Sequence, residues 1–154
     1  MGQSSSRFEG RWIFVDGENY EEYLQDLGVS PSMIAVYTSH PPYLQVEIRG
    51  KNVTVRSWKK GTEPKEMTFT IGQPFLYSAH GFKEVKIAEI VDDTLVVRAV
   101  ETEVEGSPKW SNMAAIEAGY LIQTYTSLKN SVTCRRRFRA ASREEWDAFV
   151  RQNE

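Results

Sequence analysis

The sequence predicts a mostly-β protein, a closed antiparallel barrel with helices confined to the two ends of the chain. Two observations carry this. From Tyr43 to Arg139, apolar and polar residues alternate in short runs, the period-two signature of strands with one buried face. Turn signals separate the runs, among them Gly50-Lys51-Asn52, Lys60-Gly61, His80-Gly81, Asp92-Asp93, Gly106-Ser107-Pro108 and Lys129-Asn130. Many short strands joined by turns close into a barrel because closure removes exposed sheet edges.

The elements follow in order. Phe8 to Val15 is aromatic and β-branched and reads as a first strand, with Asp16-Gly17 as a turn after it. Asn19 is placed to N-cap a helix over residues 20–27, with Glu21 and Glu22 in its first turn and Gly28 at its C′ position. Ser30 and Pro31 open a second helical piece through Met33, Ile34, Val36 and Tyr37, which His40-Pro41-Pro42 ends. A hairpin follows over Leu44 to Val55. Further alternating stretches cover residues 66–71, 75–77, 84–90, 94–102, 110–115, 120–127 and 132–139. Ser142-Arg143-Glu144-Glu145 is a capping box, and Trp146, Phe149 and Val150 fall on one face of the short helix it opens. Such a short helix is marginal alone, so it is expected to pack on the barrel; the other reading is that this face docks a protein partner.

Composition bounds the function. The chain has 154 residues, enough for one domain with a sizeable core, and a net charge of −2, which gives no basic field for nucleic acid. One cysteine, Cys134, excludes an internal disulfide framework and suggests a reduced, intracellular thiol. No apolar run reaches the roughly 18–20 residues of a membrane span, and the polar first residues do not read as a secretory signal. His40 and His80 lie in turns without metal-ligand spacing, Cys134 has no adjacent histidine, and no glycine-rich phosphate loop occurs. Neither an enzyme nor a cofactor is expected.

The strand over Val132–Arg139 carries the sharpest chemistry. Alternation puts Cys134, Arg136 and Phe138 on one face and Arg135, Arg137 and Arg139 on the other. With the first set turned inward, one arginine is buried. A buried guanidinium is costly unless paired, and a carboxylate fits its fork of N–H donors. That partner is either a ligand or an internal residue, with Glu101, Glu103 and Gln123 the candidates.

Five motifs stand in register along the chain: Phe8-Glu9-Gly10-Arg11-Trp12, Asn19-Tyr20-Glu21-Glu22-Tyr23-Leu24, Gly28-Val29, the stretch from Phe69 through Gly72 to Phe75, and Arg136-Arg137-Phe138. Together they resemble the intracellular lipid-binding proteins, the family of cytosolic fatty-acid-binding and cellular retinoid-binding proteins. The resemblance covers roughly residues 7–140 and divides the chain into a leader (1–6), a barrel (7–140) and a C-terminal helical extension (141–154). It implies a ten-stranded up-and-down barrel with a helix-turn-helix lid between the first two strands. It also implies non-catalytic binding and transport of a long-chain fatty acid or similar lipid in the cavity.

In that family an arginine and a tyrosine two residues on bind the ligand's carboxylate. The arginine position matches Arg136, while Phe138 replaces the tyrosine. The family's second internal arginine is not evident; Met113, or its neighbour Ala114 or Ala115, stands there. The resemblance assigns the lid residues Tyr20, Tyr23, Met33, Ile34, Val36 and Tyr37 to the cavity, and Phe75, Tyr77, Trp110 and Tyr120 to its walls. The departures at Phe138 and the second arginine favour an alternative, a membrane-tethered interaction scaffold that uses the barrel without a physiological lipid.

The start, Met1-Gly2-Gln3-Ser4-Ser5-Ser6, fits the pattern for N-myristoylation at Gly2. One acyl chain anchors weakly, and a basic patch is a usual second signal. Arg135, Arg137 and Arg139, on a strand expected beside the first, are the candidate patch. A cytoplasmic protein with peripheral membrane association is the resulting expectation.

Overall fold

The computed structural model describes residues 7–60, 63–79, 82–92, 94–99, 110–127 and 129–152. The elements run β1 (Gly10–Glu18), α1 (Tyr20–Leu27), α2 (Pro31–Thr38), β2 (Tyr43–Arg49), β3 (Asn52–Trp58), β4 (Lys65–Thr70) and β5 (Phe75–Ala79). They continue β6 (Phe82–Val91), β7 (Thr94–Ala99), β8 (Trp110–Glu117), β9 (Tyr120–Ser127), β10 (Thr133–Ala140) and α3 (Arg143–Gln152). The ten strands form one antiparallel sheet in the order β4-β3-β2-β1-β10-β9-β8-β7-β6-β5. Pairing of β1 with β10 carries the sheet around, and β4 and β5 are its two unpaired ends. This is the ten-stranded, lidded barrel that the resemblance implies, followed by the C-terminal helix that the capping box predicts.

Alternation sends one apolar set inward. Trp12, Leu44, Val46, Val53, Phe69, Ala88, Val97, Leu121 and Phe138 belong to one buried cluster that lines the barrel. Phe69 and Phe75 stack across the unpaired ends, with ring centroids 4.7 Å apart.

Two local readings are corrected. Asp16-Gly17 is not a turn: β1 runs through it, with a register shift between Phe14 and Asp16. A Cβ on Gly17 would lie 2.8 Å from the carbonyl oxygen of Arg135, so the glycine allows close strand approach beside a bulge. Asn19 does not cap α1 through its side chain. With β1 ending at the preceding residue, Asn19 makes the corner in a left-handed conformation (φ 62°), and its amide donates back to the Thr133 carbonyl at 3.3 Å.

The lid helices end and begin as their sequences dictate. Gly28 (φ 89°) closes α1, donating to the Gln25 carbonyl while Val29 N–H donates to that of Leu24. Ser30 Oγ accepts from Met33 N–H, and Pro31 starts α2. Tyr23, Leu24, Leu27, Ile34 and Cys134 form a second buried cluster that seats α1 on the barrel. Asp26 ties α1 to the turn between β9 and β10, accepting from Ser127 Oγ, Asn130 N–H and the Asn130 amide. The Ser127 bond, then those of Asn130, hold its carboxyl below the usual carboxylate range. α2 buries only Ile34.

The tail does pack on the barrel. Its capping box is formed: Glu145 N–H donates to Ser142 Oγ at 3.1 Å, and Ser142 N–H to Glu145 Oε1 at 3.0 Å. The Trp146 ring meets Tyr43 and Trp58 edge-on at 5.3 and 5.6 Å, and Phe149 meets Tyr43 at 5.3 Å. Tyr43 in turn stacks on Trp58 at 5.6 Å. These rings lie on the outer face of β2 and β3, so α3 covers an aromatic patch on the outside of the wall.

Candidate functional site

The register of β10 decides what enters the barrel. Phe138 pairs with Phe14 and Leu121, Arg136 with Gly17 and Gln123, and Cys134 with Tyr125. Cys134 and Phe138 are fully buried, and Arg136 lies between them on the same face. The Arg136 guanidinium sits 4.3 Å from the Tyr20 ring centroid, 5.2 Å from that of Phe14 and 6.0 Å from that of Phe138. Such contacts between a cation and ring faces are attractive, more so away from water. Among the described residues no carboxylate makes an ion pair with Arg136. Glu101 and Glu103, candidate partners from the sequence, lie outside the described residues.

Polar groups surround this charge without neutralising it. Gln123, opposite Arg136, accepts from the Tyr125 hydroxyl at 3.1 Å, and Tyr125 shares a hydrogen bond with Tyr77. Burial raises the Tyr77 phenol to about 12 and pushes Tyr20, Tyr23 and Tyr125 further above the usual phenol range, so all four are neutral hydroxyls. Burial likewise raises the Cys134 thiol to about 11, against the lowering effect of Arg136, so it is an inert core residue.

Several lid and wall residues pack on the buried clusters. Tyr23 is buried with its ring 5.8 Å from Tyr125, and Tyr20 stacks on Tyr23 at 6.4 Å. Ile34 is buried, while Val36 and Tyr37 are half-buried. Phe75 and Tyr77 pack on the core, their rings 6.1 Å apart.

Three assignments are corrected. Met113 is 45% exposed on the outer face of β8; its neighbour Ala114 faces inward opposite Gln123, because alternation gives only every second residue to the interior. Tyr120 lies on the outer face of β9 with the Arg137 guanidinium 4.7 Å over its ring. Met33 is 41% exposed on α2. Trp110 opens β8, and its side chain lies outside the described residues.

Two lysines escaped the sequence reading. Lys86 is fully buried on the inner face of β6, paired with Phe75 and Ala99. Lys59 follows β3; its Nζ is shut off from solvent and lies 5.6 Å from the Tyr37 ring centroid. Burial first, then the charges of Arg136 and Lys65, lower its ammonium to about 8.

The outward arginines are not a bare basic patch. Arg137 grips Asp16 with two hydrogen bonds, at 2.7 and 3.1 Å. Arg139 pairs with Glu145 at 2.6 Å, and Arg135 with Glu117 at 3.7 Å. Gly2 lies outside the described residues. Among the described residues no cluster of His, Cys, Asp and Glu is arranged to hold a metal, and no helix is long and apolar enough to cross a membrane.

A lid of two helices, an apolar inner wall and a charged group turned toward it define a lidded up-and-down β-barrel. No family model matches the chain. Individual proteins do. Fatty acid-binding protein homolog 8 of Caenorhabditis elegans is 27% identical over 135 residues, spanning 88% of this chain and 96% of that protein. The solved structure of the REP1-NXSQ fatty acid transporter superposes with a TM-score of 0.78 at 21% identity, over 89% of this chain and 98% of its own. Fatty-acid-binding protein 1 of Echinococcus granulosus has a TM-score of 0.77 at 17% identity, over 89% of this chain and 99% of its own. In fold and in sequence along most of its length, the chain is similar to the intracellular lipid-binding proteins.

Proposed function

We propose that the barrel binds and carries a long-chain fatty acid or similar lipid and catalyses no reaction. The observation that supports this best is Arg136: a guanidinium turned into an apolar interior, flanked by rings, with no ion-pair partner among the described residues. An acyl chain gains about 0.8 kcal/mol per methylene taken from water, so the apolar wall supplies affinity and Arg136 orients the head group. The relatives' names as fatty-acid-binding proteins agree with this reading.

Arg136→Ala is expected to weaken a fatty acid by about 1–3 kcal/mol, the range for a lost charge-assisted hydrogen bond, and to leave the matching alcohol nearly unchanged. Calorimetry with both ligands measures the difference. Equal losses remove the ionic role, and absence of binding to wild type supports the scaffold reading. One observation favours that second reading. The Tyr20, Phe14 and Phe138 rings already hold the Arg136 charge, and Phe138 brings no phenol to a carboxylate.

The start of the chain adds a membrane role to the proposal. Acylation at Gly2 attaches this cytoplasmic protein peripherally, through its myristoyl chain, with Arg135, Arg137 and Arg139 assisting on anionic surfaces. Because each of these arginines has a carboxylate within 4 Å, each adds less than the roughly 1 kcal/mol of a free basic residue. Gly2→Ala, coexpressed with an N-myristoyltransferase, is therefore expected to abolish sedimentation with liposomes. A Gly2→Ala protein that still sediments refutes the anchor.

A further inference from the structure

We propose that Asn112 is a ligand-binding residue of the barrel interior, a hydrogen-bond acceptor for a hydroxyl group, and that the site selects a long-chain carboxylate hydroxylated in mid-chain over the plain acid. The inference rests on the lipid-carrier reading above and narrows it to a ligand class.

Asn112 lies on the inner face of β8. It stands opposite Val97 of β7, which is buried in the barrel cluster, and two residues before Ala114, which packs on the same cluster. The next inward residues of β8, Ala114 and Ile116, are apolar, so an amide here breaks the pattern of the wall. Its oxygen Oδ1 is shut off from solvent and accepts no hydrogen bond among the described residues. Buried polar groups of native proteins are nearly always paired, because an acceptor taken from water without a donor loses its hydration uncompensated. The hydroxyl directly across on β9, that of Tyr125, is committed elsewhere: it donates to Gln123 Oε1 at 3.1 Å.

Strand register joins this acceptor to Arg136. Asn112 pairs with Tyr125, and Arg136 pairs with Gln123, two residues away along β9 on the same inner face. Arg136 therefore lies two strands and two residues from Asn112. With about 4.8 Å between strands and about 3.4 Å per residue, their Cα atoms are roughly 12 Å apart along one wall. A single amphiphile can meet both, with its carboxylate on Arg136 and an O–H further along its chain on Asn112. A hydroxyl on the carbon beside the carboxylate stays with Arg136 and falls short of Asn112. Gln123, Tyr125 and Ala114 face inward yet are only half-buried, so space remains in front of the wall. The last torsion of an asparagine is soft, and a modest turn of the amide aims Oδ1 at an incoming hydroxyl. A hydroxyl supplies the donor that this oxygen lacks; an ether oxygen in the same place only accepts.

Calorimetric titration of wild type and Asn112→Leu tests this with octadecanoate, its mid-chain hydroxy derivative, the matching mid-chain methoxy derivative, and the acid hydroxylated beside the carboxylate. Wild type is expected to hold the mid-chain hydroxy acid about tenfold more tightly than any of the other three, the worth of one well-made buried hydrogen bond. Asn112→Leu is expected to lose that preference. Equal affinity of wild type for the mid-chain hydroxy acid and the plain or methoxy acid overturns the proposal, as does a preference that survives in Asn112→Leu. A variant that binds none of the four overturns it too, because Asn112 then shapes the wall rather than reading a hydroxyl.

Urea unfolding of the empty proteins separates a ligand role from a structural one. Replacing an unpaired buried acceptor by a leucine of similar size is expected to leave the midpoint equal or higher. A clearly lower midpoint means that Asn112 is held by a partner within the folded protein, an ordered water included, and overturns the proposal. Octadecanoate binding without a hydroxyl preference leaves the lipid carrier standing and removes only this inference. Failure of every amphiphile to bind wild type removes the carrier reading, and the inference with it.

Discussion

Truncation after Ala140 is expected to lower the melting temperature and to leave the barrel folded. The helix α3 seats Trp146 and Phe149 on Tyr43 and Trp58, outside the wall. Each large side chain is worth about 1.5–3 kcal/mol when fully buried; these two are half-buried, so their joint contribution is about 1.5–3 kcal/mol. For a chain of this size, such a loss shifts the midpoint by roughly 3–12 °C. Ile13 and Tyr43, now buried on the outer face, would meet water, and an apolar-surface dye should bind more to the truncated protein. Scanning calorimetry measures the shift. An unchanged midpoint would separate α3 from barrel stability and return Trp146, Phe149 and Val150 to the role of partner-docking residues.

Phe138→Ala is expected to cost about 3–5 kcal/mol, the range for deleting a buried phenylalanine. Phe138 is fully buried, meets Phe14 edge-on at 5.6 Å and belongs to the cluster that lines the barrel. The variant also removes one ring from beside Arg136. Urea unfolding should show a reduced midpoint with an unchanged slope. A loss below about 1 kcal/mol would mean that the wall collapses around the deleted ring, against the close packing of native interiors.

The parity of β10 was legible because Cys134 and Phe138 frame Arg136, and a lone inward charge between two apolar residues has one consistent register. The same logic failed on β8. Its run Met113-Ala114-Ala115-Ile116 is apolar on both faces, and a shift of one residue exchanges Met113 for Ala114. Tyr120 misled for a related reason: an aromatic ring suits either face of a strand, and an external arginine holds this one. In β1, Asp16-Gly17 carries the same letters whether it turns the chain or lets a bulged strand pass close to its neighbour. Lys86 lay beyond periodicity altogether. A buried lysine violates the pattern by which inward faces are found, and only the pairing of β6 with β5 and β7 reveals it. Lys59, past the end of β3, has no strand parity to read.

The unpaired ends of the sheet give the wall the mechanics of a split ring. Hydrogen-bonded ladders run from β4 around to β5 the long way, and none joins β4 to β5 directly. Widening the circumference there breaks no ladder; it separates Phe69 from Phe75, a contact worth about 0.5–1.5 kcal/mol beyond the area it buries. One end of the slit is pinned, since Gly72, in the turn between the two strands, donates its N–H to the Ala88 carbonyl at 2.8 Å. The slit therefore opens as a wedge from the free end. The girth of the interior can follow the thickness of its contents at the cost of one ring pair, while the Arg136 side of the ring, held by continuous ladders, keeps its shape.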